Sequence, residues 1–161
     1  MTLIEIGKKA PAFTLPDQDG EKHALKDALG VPIVLYFYPK DDTSGCTKEA
    51  CQFRDQSPDF EKVEATVFGV SPDSVESHRK FVEKHALNFT LLADDARDAD
   101  DNPKICMKYG VWQEKSMYGK KYMGVVRTTY LIGPDGKVAQ RWDKVKVPGH
   151  ADAVLEAIRS L

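Results

Sequence analysis

An uninterrupted run of apolar and aromatic residues, Ile33–Tyr38, constrains the fold of this chain more than any other segment. Six residues are too few for a buried helix and suit a strand buried on both faces. Pro39 ends the run, residues 40–45 form a polar loop, and Cys46–Asp55 has the spacing of an amphipathic helix. A cysteine therefore lies where a buried strand gives way to a helix N-terminus, and free amide groups and the helix dipole favour a thiolate there.

Strand and helix signals alternate along the rest of the chain. A small N-terminal hairpin is predicted around the turn that ends in Asp19-Gly20, and another around Gly133–Gly136. Further strands are predicted at residues 12–15, 22–25, 66–70, 89–92, 124–132 and 137–142, and helices from about 46 to 64, after 71–74, from 102 to 110 and from 150 to 161. This order predicts one α/β domain over residues 1–161, with a central mixed sheet and helices on both faces.

The composition excludes several classes of function. The 161 residues are 42% hydrophobic and 30% charged, which suits one domain with a proper core. A net charge of -2 offers no basic field to nucleic acid or to an anionic membrane. We see no leader peptide and no apolar span, so we expect a cytoplasmic protein. An odd count of three cysteines favours thiol chemistry over structural disulfides.

Cys46 and Cys51 form the first candidate site. Five residues apart on a regular helix, their Cα atoms are roughly 8–9 Å apart, whereas a disulfide needs less than about 7 Å. The two sulfurs can therefore join only if the first turns of the helix unwind. The alternative is that both cysteines merely pack. A zinc site is poorly supported, because the four histidines show no paired spacing.

The segment Asp94–Asp101 carries five aspartates and one arginine. Its spacing does not match a calcium loop, so we predict a solvated loop. Asn102 and Pro103 then predict the N-cap and first residue of a short helix that ends at Gly110. Cys106 lies in this helix and is expected to be a packed thiol.

Pro39, Thr43 and Cys46 stand in the order Pro-x-x-x-Thr-x-x-Cys, and this stretch resembles the active-site loop of peroxiredoxins. The resemblance implies that Pro39 shields the thiolate from water and that Thr43 hydrogen-bonds the sulfur and the peroxide. Arg127 opens an apolar strand and matches the arginine that completes the site of that family. Glu49 matches a glutamate that orients this arginine. On the residues alone, a solvated arginine at a strand edge and a solvated helix glutamate are the alternatives.

Within peroxiredoxins the chain is similar to the bacterioferritin comigratory protein, or Q, type. The resemblance rests on the lead-in Tyr36–Lys40, on Cys51 five residues after the first cysteine, and on Lys115–Lys120 before the arginine strand. It covers nearly the whole chain and implies a thioredoxin-like fold. Ser44 stands where this type usually has proline, and the acidic segment is longer than usual. Neither departure touches a candidate site residue.

The resemblance implies a thiol peroxidase for hydrogen peroxide and organic hydroperoxides. Cys46 would become a sulfenic acid, which Cys51 would condense into a disulfide. Thioredoxin is the implied reductant of that bridge, with glutaredoxin as the alternative. No metal, haem or flavin is implied, and we expect a monomer. The sequence ends at Leu161, directly after its last helix, so we expect no C-terminal segment over the site.

Two other classes of function fit part of the sequence. A thiol-disulfide oxidoreductase of the same fold would exchange disulfides, although the absence of a Cys-x-x-Cys pair argues against it. A non-catalytic binding module or chaperone would consume no peroxide. A cysteine protease is weaker, because no histidine is visibly placed as its base.

Overall fold

The computed structural model describes residues 2–161, which form alternating strands and helices. The elements in chain order are β1 (Thr14–Pro16), β2 (Lys22–Ala24), α1 (Leu25–Ala28), β3 (Ile33–Phe37), α2 (Ser44–Asp55), α3 (Ser57–Lys62), β4 (Thr66–Ser71), α4 (Val75–His85), β5 (Thr90–Ala93), α5 (Lys104–Lys108), β6 (Trp112–Met117), β7 (Lys120–Val125), β8 (Thr128–Ile132), β9 (Val138–Trp142) and α6 (His150–Arg159). The order agrees with the sequence prediction except for α1, for the break between α2 and α3, and for the segment between α5 and β8.

Strand β3 is the centre of a five-stranded sheet with the order β5-β4-β3-β8-β9. β4 runs parallel to β3 and β8 runs antiparallel to it, so the sheet is mixed, as predicted. Every β3 side chain is at most 1% exposed. Ile33, Leu35 and Phe37 point into one core, and Val34 and Tyr36 point into the other. Burial on both faces explains why this segment is continuously apolar.

Helices cover both faces of this sheet, which confirms the predicted thioredoxin-like α/β class. α2, α3, α4 and α6 close the core around Tyr36, through side chains that include Phe53 and Phe81. α1 and α5 close the opposite core, through Leu25 and Cys106 among others. The antiparallel hairpin of β1 and β2 lies near the N-terminus, as predicted. Among residues 2–161, no helix has the length and apolar character to cross a membrane.

The cysteine helix differs from its prediction at both ends. α2 begins at Ser44, so Cys46 is its third residue instead of its first. The helix also ends before Gln56 and does not continue to Glu64, because Gln56 leaves helical geometry with φ -96° and ψ 7°. Pro58, whose ring nitrogen cannot donate a hydrogen bond, is then accommodated at the start of α3.

The sequence analysis missed the hairpin of β6 and β7. These strands pair antiparallel, from Trp112 opposite Val125 to Met117 opposite Lys120. Most of their residues are polar and at least partly exposed, so no period-2 alternation marks them. The long strand predicted before Ile132 is split as a result, because β7 ends at Val125 and β8 begins at Thr128.

The prediction of a solvated acidic loop is wrong for Asp94. This side chain is fully buried. Its carboxylate accepts hydrogen bonds from the backbone amides of Ile105, at 3.0 and 3.1 Å, and of Cys106, at 2.7 Å. Asp94 therefore caps the N-terminus of α5 by accepting hydrogen bonds from its amides. The sequence analysis predicted Asn102 as this cap. The Asn102 side chain instead accepts a hydrogen bond from the Trp112 indole.

We predict that Asp94→Ala lowers the free energy of unfolding by about 2 kcal/mol, because it leaves two buried amides of α5 without an acceptor. Urea denaturation measures the change. Asp95→Ala is the matched control, since Asp95 is exposed, and it should change the stability by less than about 0.5 kcal/mol. Equal losses in both variants would contradict the buried cap.

Candidate active site

Cys46 and Arg127 lie 81 positions apart in the sequence and meet in the structure. Arg127 Nη2 donates a hydrogen bond to Cys46 Sγ at 3.2 Å. The cysteine is 2% exposed, and the arginine side chain is 17% exposed. Thr128 pairs with Phe37, so Arg127 comes beside the loop that leaves β3. The structure therefore places this guanidinium against the sulfur and not in water at a strand edge.

Glu49 binds the other side of the same guanidinium. Glu49 Oε1 accepts a hydrogen bond from Arg127 Nη1 at 2.6 Å, and its side chain is fully buried. Burial raises the pKa of Glu49 to about 7, although the Arg127 charge opposes this rise. Its second oxygen, Oε2, has no hydrogen-bond partner within residues 2–161. The structure thus brings Cys46, Glu49 and Arg127 together.

The N-terminus of α2 contributes further to this site. The amide of Thr47 donates to the Thr43 carbonyl and makes the first hydrogen bond of the helix. The amides of Ser44, Gly45 and Cys46 come before it and have no acceptor within the helix. A Cβ at position 45 would lie 3.1 Å from Arg127 Nη2, a tight contact that would press on the guanidinium. The site therefore joins a guanidinium and a helix N-terminus, and both stabilise negative charge on sulfur or oxygen.

Pro39 and Thr43 lie on the loop that leads into α2, but neither is hydrogen-bonded to Cys46. The Thr43 hydroxyl donates to the Lys40 carbonyl at 2.9 Å. Pro39 lines an open groove of about 330 Å³ together with residues of the β6–β7 hairpin. The hydrogen bond from Thr43 to sulfur that the resemblance implied is absent from this structure, since the hydroxyl is turned to Lys40.

All three cysteines of the chain are free thiols. Cys51 is partly exposed on α2, and a regular helix keeps its Cα roughly 8–9 Å from that of Cys46. Cys106 is fully buried in the core on the opposite face of the sheet. Burial raises the pKa of the Cys106 thiol well above its ordinary value. The structure therefore does not bring Cys106 to the site.

Lys115 on β6 is a neighbour of the site to which the sequence analysis gave no role. Its ammonium donates to the Val125 carbonyl at 3.0 Å. Partial burial lowers the pKa of Lys115, and the charge of Arg127 lowers it further. The sequence analysis counted Lys115 among the residues of the family resemblance, but the hairpin gave no strand pattern, so nothing predicted that this lysine comes near Arg127.

A buried polar cluster around Asp41 was also missed. The Asp41 carboxylate accepts hydrogen bonds from the hydroxyls of Tyr38 and Ser77, and it lies 2.6 Å from His78 Nδ1. The Asp41 amide donates to Asp73 at 2.8 Å. Asp41, Asp73 and His78 present ligand atoms within 4.8 Å of one another, as a metal site would. The hydrogen bonds already engage these atoms, and the cluster fixes the loop before α2 to α4.

Comparison with known proteins identifies the family. The model of the AhpC/TSA family matches residues 6–141. The chain is also 47% identical over 158 residues to peroxiredoxin Bcp of Bacillus subtilis, a match that spans 98% of this chain and 97% of the relative. The chain is a peroxiredoxin of the AhpC/TSA family. This peroxiredoxin is accordingly a thiol peroxidase, an oxidoreductase that reduces hydroperoxides at a cysteine.

Solved structures agree with this assignment. A cysteine variant of PrxQ from Xylella fastidiosa is 36% identical and has a TM-score of 0.90, with 99% of this chain and 98% of the other covered. The bacterioferritin comigratory protein of Xanthomonas campestris is 41% identical and has a TM-score of 0.86, with 97% and 98% covered. That structure was described for its alkyl peroxide reduction activity. These neighbours confirm the Bcp/PrxQ type and the thioredoxin-like fold.

We predict that Arg127→Met slows the reaction of the reduced protein with hydroperoxide by roughly 10²-fold or more, because it removes a donor that stabilises developing negative charge. Stopped-flow kinetics give the second-order rate constant. Arg141→Met is the matched control, since that guanidinium binds Asp143 and the Ile4 carbonyl. If both variants react at the rate of the unmodified protein, Arg127 has no part in the peroxide step.

Proposed function

We propose that this peroxiredoxin works by an atypical 2-Cys mechanism within one chain, with Cys46 as the peroxidatic and Cys51 as the resolving cysteine. The observation that carries the proposal is the 3.2 Å hydrogen bond from Arg127 to the Cys46 sulfur in the first turn of α2. A guanidinium that donates to a cysteine sulfur stabilises negative charge there, which a nucleophilic cysteine requires.

In the first step the Cys46 thiolate attacks one oxygen of the hydroperoxide. An S–O bond forms as the O–O bond breaks, and the second oxygen leaves with the electron pair. The Arg127 guanidinium and the amides at the start of α2 receive this charge, and a proton then gives water or an alcohol. Glu49 holds Arg127 in place. We assign Pro39 to shielding of the sulfur, and Thr43 to binding of the peroxide once its hydroxyl leaves the Lys40 carbonyl.

In the second step the Cys51 thiol condenses with the sulfenic acid of Cys46, forming a disulfide and releasing water. α2 must unwind for this step, because a helix holds the two residues too far apart. An external dithiol then reduces the bridge by thiol exchange. We propose thioredoxin as that dithiol, with glutaredoxin as the alternative.

The same proposal covers assembly and location. Because Cys51 supplies the second thiol from the same chain, the mechanism requires no second copy, and we propose a monomer with one domain over residues 1–161. A thioredoxin-dependent enzyme with free thiols belongs in a reducing compartment, and we propose the cytoplasm. Neither nucleic acid nor a membrane is a proposed partner.

We predict that Cys46→Ser abolishes hydroperoxide consumption in an assay coupled to thioredoxin and its reductase. Cys51→Ser should still be oxidised once but should not turn over with thioredoxin, because its sulfenic acid has no resolving thiol. Peptide mapping of the oxidised, unmodified protein should find Cys46 linked to Cys51. Cys106→Ser is the control and should turn over normally. A main product that links Cys46 to Cys106 would overturn the assignment of Cys51.

We predict that oxidation lowers the hydrogen-exchange protection of residues 43–53. Unwinding removes their helical hydrogen bonds, and the chain regains about 1–2 kcal/mol of backbone entropy per freed residue, so the two states can lie close in free energy. Mass spectrometry of reduced and oxidised protein measures the exchange. Strand β3 serves as the internal reference. Equal protection of residues 43–53 in both states would show that the disulfide closes without unwinding.

A further inference from the structure

We propose that Gln52 is a positioning residue for the second step, and that its side chain sets the rate at which Cys51 reaches the oxidised Cys46. The inference rests on the proposed pairing of Cys46 with Cys51. The hydrogen bonds of the Gln52 side chain tether α2 to the N-terminal end of α6. The tether is intact while α2 is folded and is broken when α2 unwinds.

The Gln52 side chain bridges two backbone groups of another element. Its Nε2 donates to the Val147 carbonyl at 2.8 Å, and its Oε1 accepts from the Ala151 amide at 3.4 Å. These groups lie just before α6 and in its first turn. α6 itself is firmly held, because five of its side chains are at most 5% exposed in the core: His150, Ala151, Val154, Leu155 and Ile158. Gln52 therefore attaches the Cys51 end of α2 to a rigid support.

Unwinding that joins Cys46 to Cys51 must disturb this attachment. A helical amide donates to the carbonyl four residues earlier, so opening residues 46–51 removes acceptors for amides as far as residue 55. Cys51 and Gln52 share a peptide bond, and moving the Cys51 side chain towards Cys46 moves Gln52 with it. The bonds to Val147 and Ala151 therefore oppose the movement.

Within residues 46–52, two groups of side-chain hydrogen bonds reach other elements. One group consists of the contacts of Cys46 and Glu49 with Arg127, which belong to the peroxide site. The other consists of the Gln52 contacts with Val147 and Ala151. Gln52 makes no hydrogen bond to the peroxide site, so its loss should change resolution without changing the peroxide step.

Gln52→Met tests the proposal, because methionine has a similar length and helix propensity but cannot make these hydrogen bonds. After one equivalent of hydrogen peroxide, we expect disulfide formation to be roughly 3- to 10-fold faster, the size expected for losing about one net hydrogen bond. The second-order rate with peroxide should stay within about twofold of the unmodified protein. Less sulfinic acid should form at high peroxide, because Cys51 captures the sulfenic acid sooner.

Gln56→Met is the matched control on the same helix end. Gln56 Nε2 donates to Asp152 in the first turn of α6 at 2.8 Å, but this residue lies beyond the segment that must unwind. We therefore expect resolution at the unmodified rate. Acceleration of the same size in the Gln56 variant would overturn the specific role of Gln52.

Two further outcomes separate this inference from the proposed function. If the Cys46–Cys51 disulfide forms in all three proteins but at the same rate, the Gln52 tether is wrong and the mechanism stands. If the unmodified protein forms no such disulfide, the proposed pairing fails, and the tether with it. Hydrogen exchange of the reduced Gln52 variant should be faster in residues 51–55 and at the Ala151 amide, which loses its acceptor, and unchanged in the rest of α6. Unchanged exchange in residues 51–55 would also contradict the tether.

Discussion

The planar guanidinium of Arg127 binds a carboxylate and a sulfur at the same time, and the geometry of the active site depends on it. One nitrogen lies 2.6 Å from Glu49 Oε1 and the other 3.2 Å from Cys46 Sγ. Burying such charges costs several kcal/mol per ion, which close and well-directed contacts must offset. A lysine could not replace the arginine, because a single ammonium lacks the fixed fork that serves two partners. Gly45 leaves the space that this fork occupies.

Two partners of this guanidinium lie on α2, which connects catalysis with the stability of that helix. Cys46 and Glu49 are one turn apart, so unwinding α2 withdraws both from Arg127. In the proposed mechanism, oxidation therefore takes the peroxide site apart, and the disulfide must be reduced before the site can form again. Burial raises the pKa of Glu49 and the Arg127 charge opposes this rise, so the carboxylate and the guanidinium each favour the charged form of the other.

The elements that could be predicted are those whose signals are local. The run Ile33–Tyr38 predicted the buried central strand, because a strand covered on both faces has no polar side. Asp19-Gly20 and Gly133–Gly136 predicted turns, because their residue types suit turn geometry. The motif around Cys46 predicted the family, which the comparisons confirm. Helix ends were less accurate: the prediction carried the cysteine helix across Pro58, although a proline is a local signal for the break that the structure shows at Gln56.

The sequence by itself thus determined the central strand, the order of most elements and the family, whereas the tertiary structure decided which side chains meet. The contact of Arg127 with Cys46 spans 81 positions, and that of Asp41 with His78 spans 37. Asp94 looked like part of a solvated acidic run until the fold placed two amides of α5 against it. Composition and periodicity indicate which apolar residues are buried. A buried charge needs a partner that offsets the cost of its burial. That partner usually lies on a distant segment, so it is known only once the chain has folded.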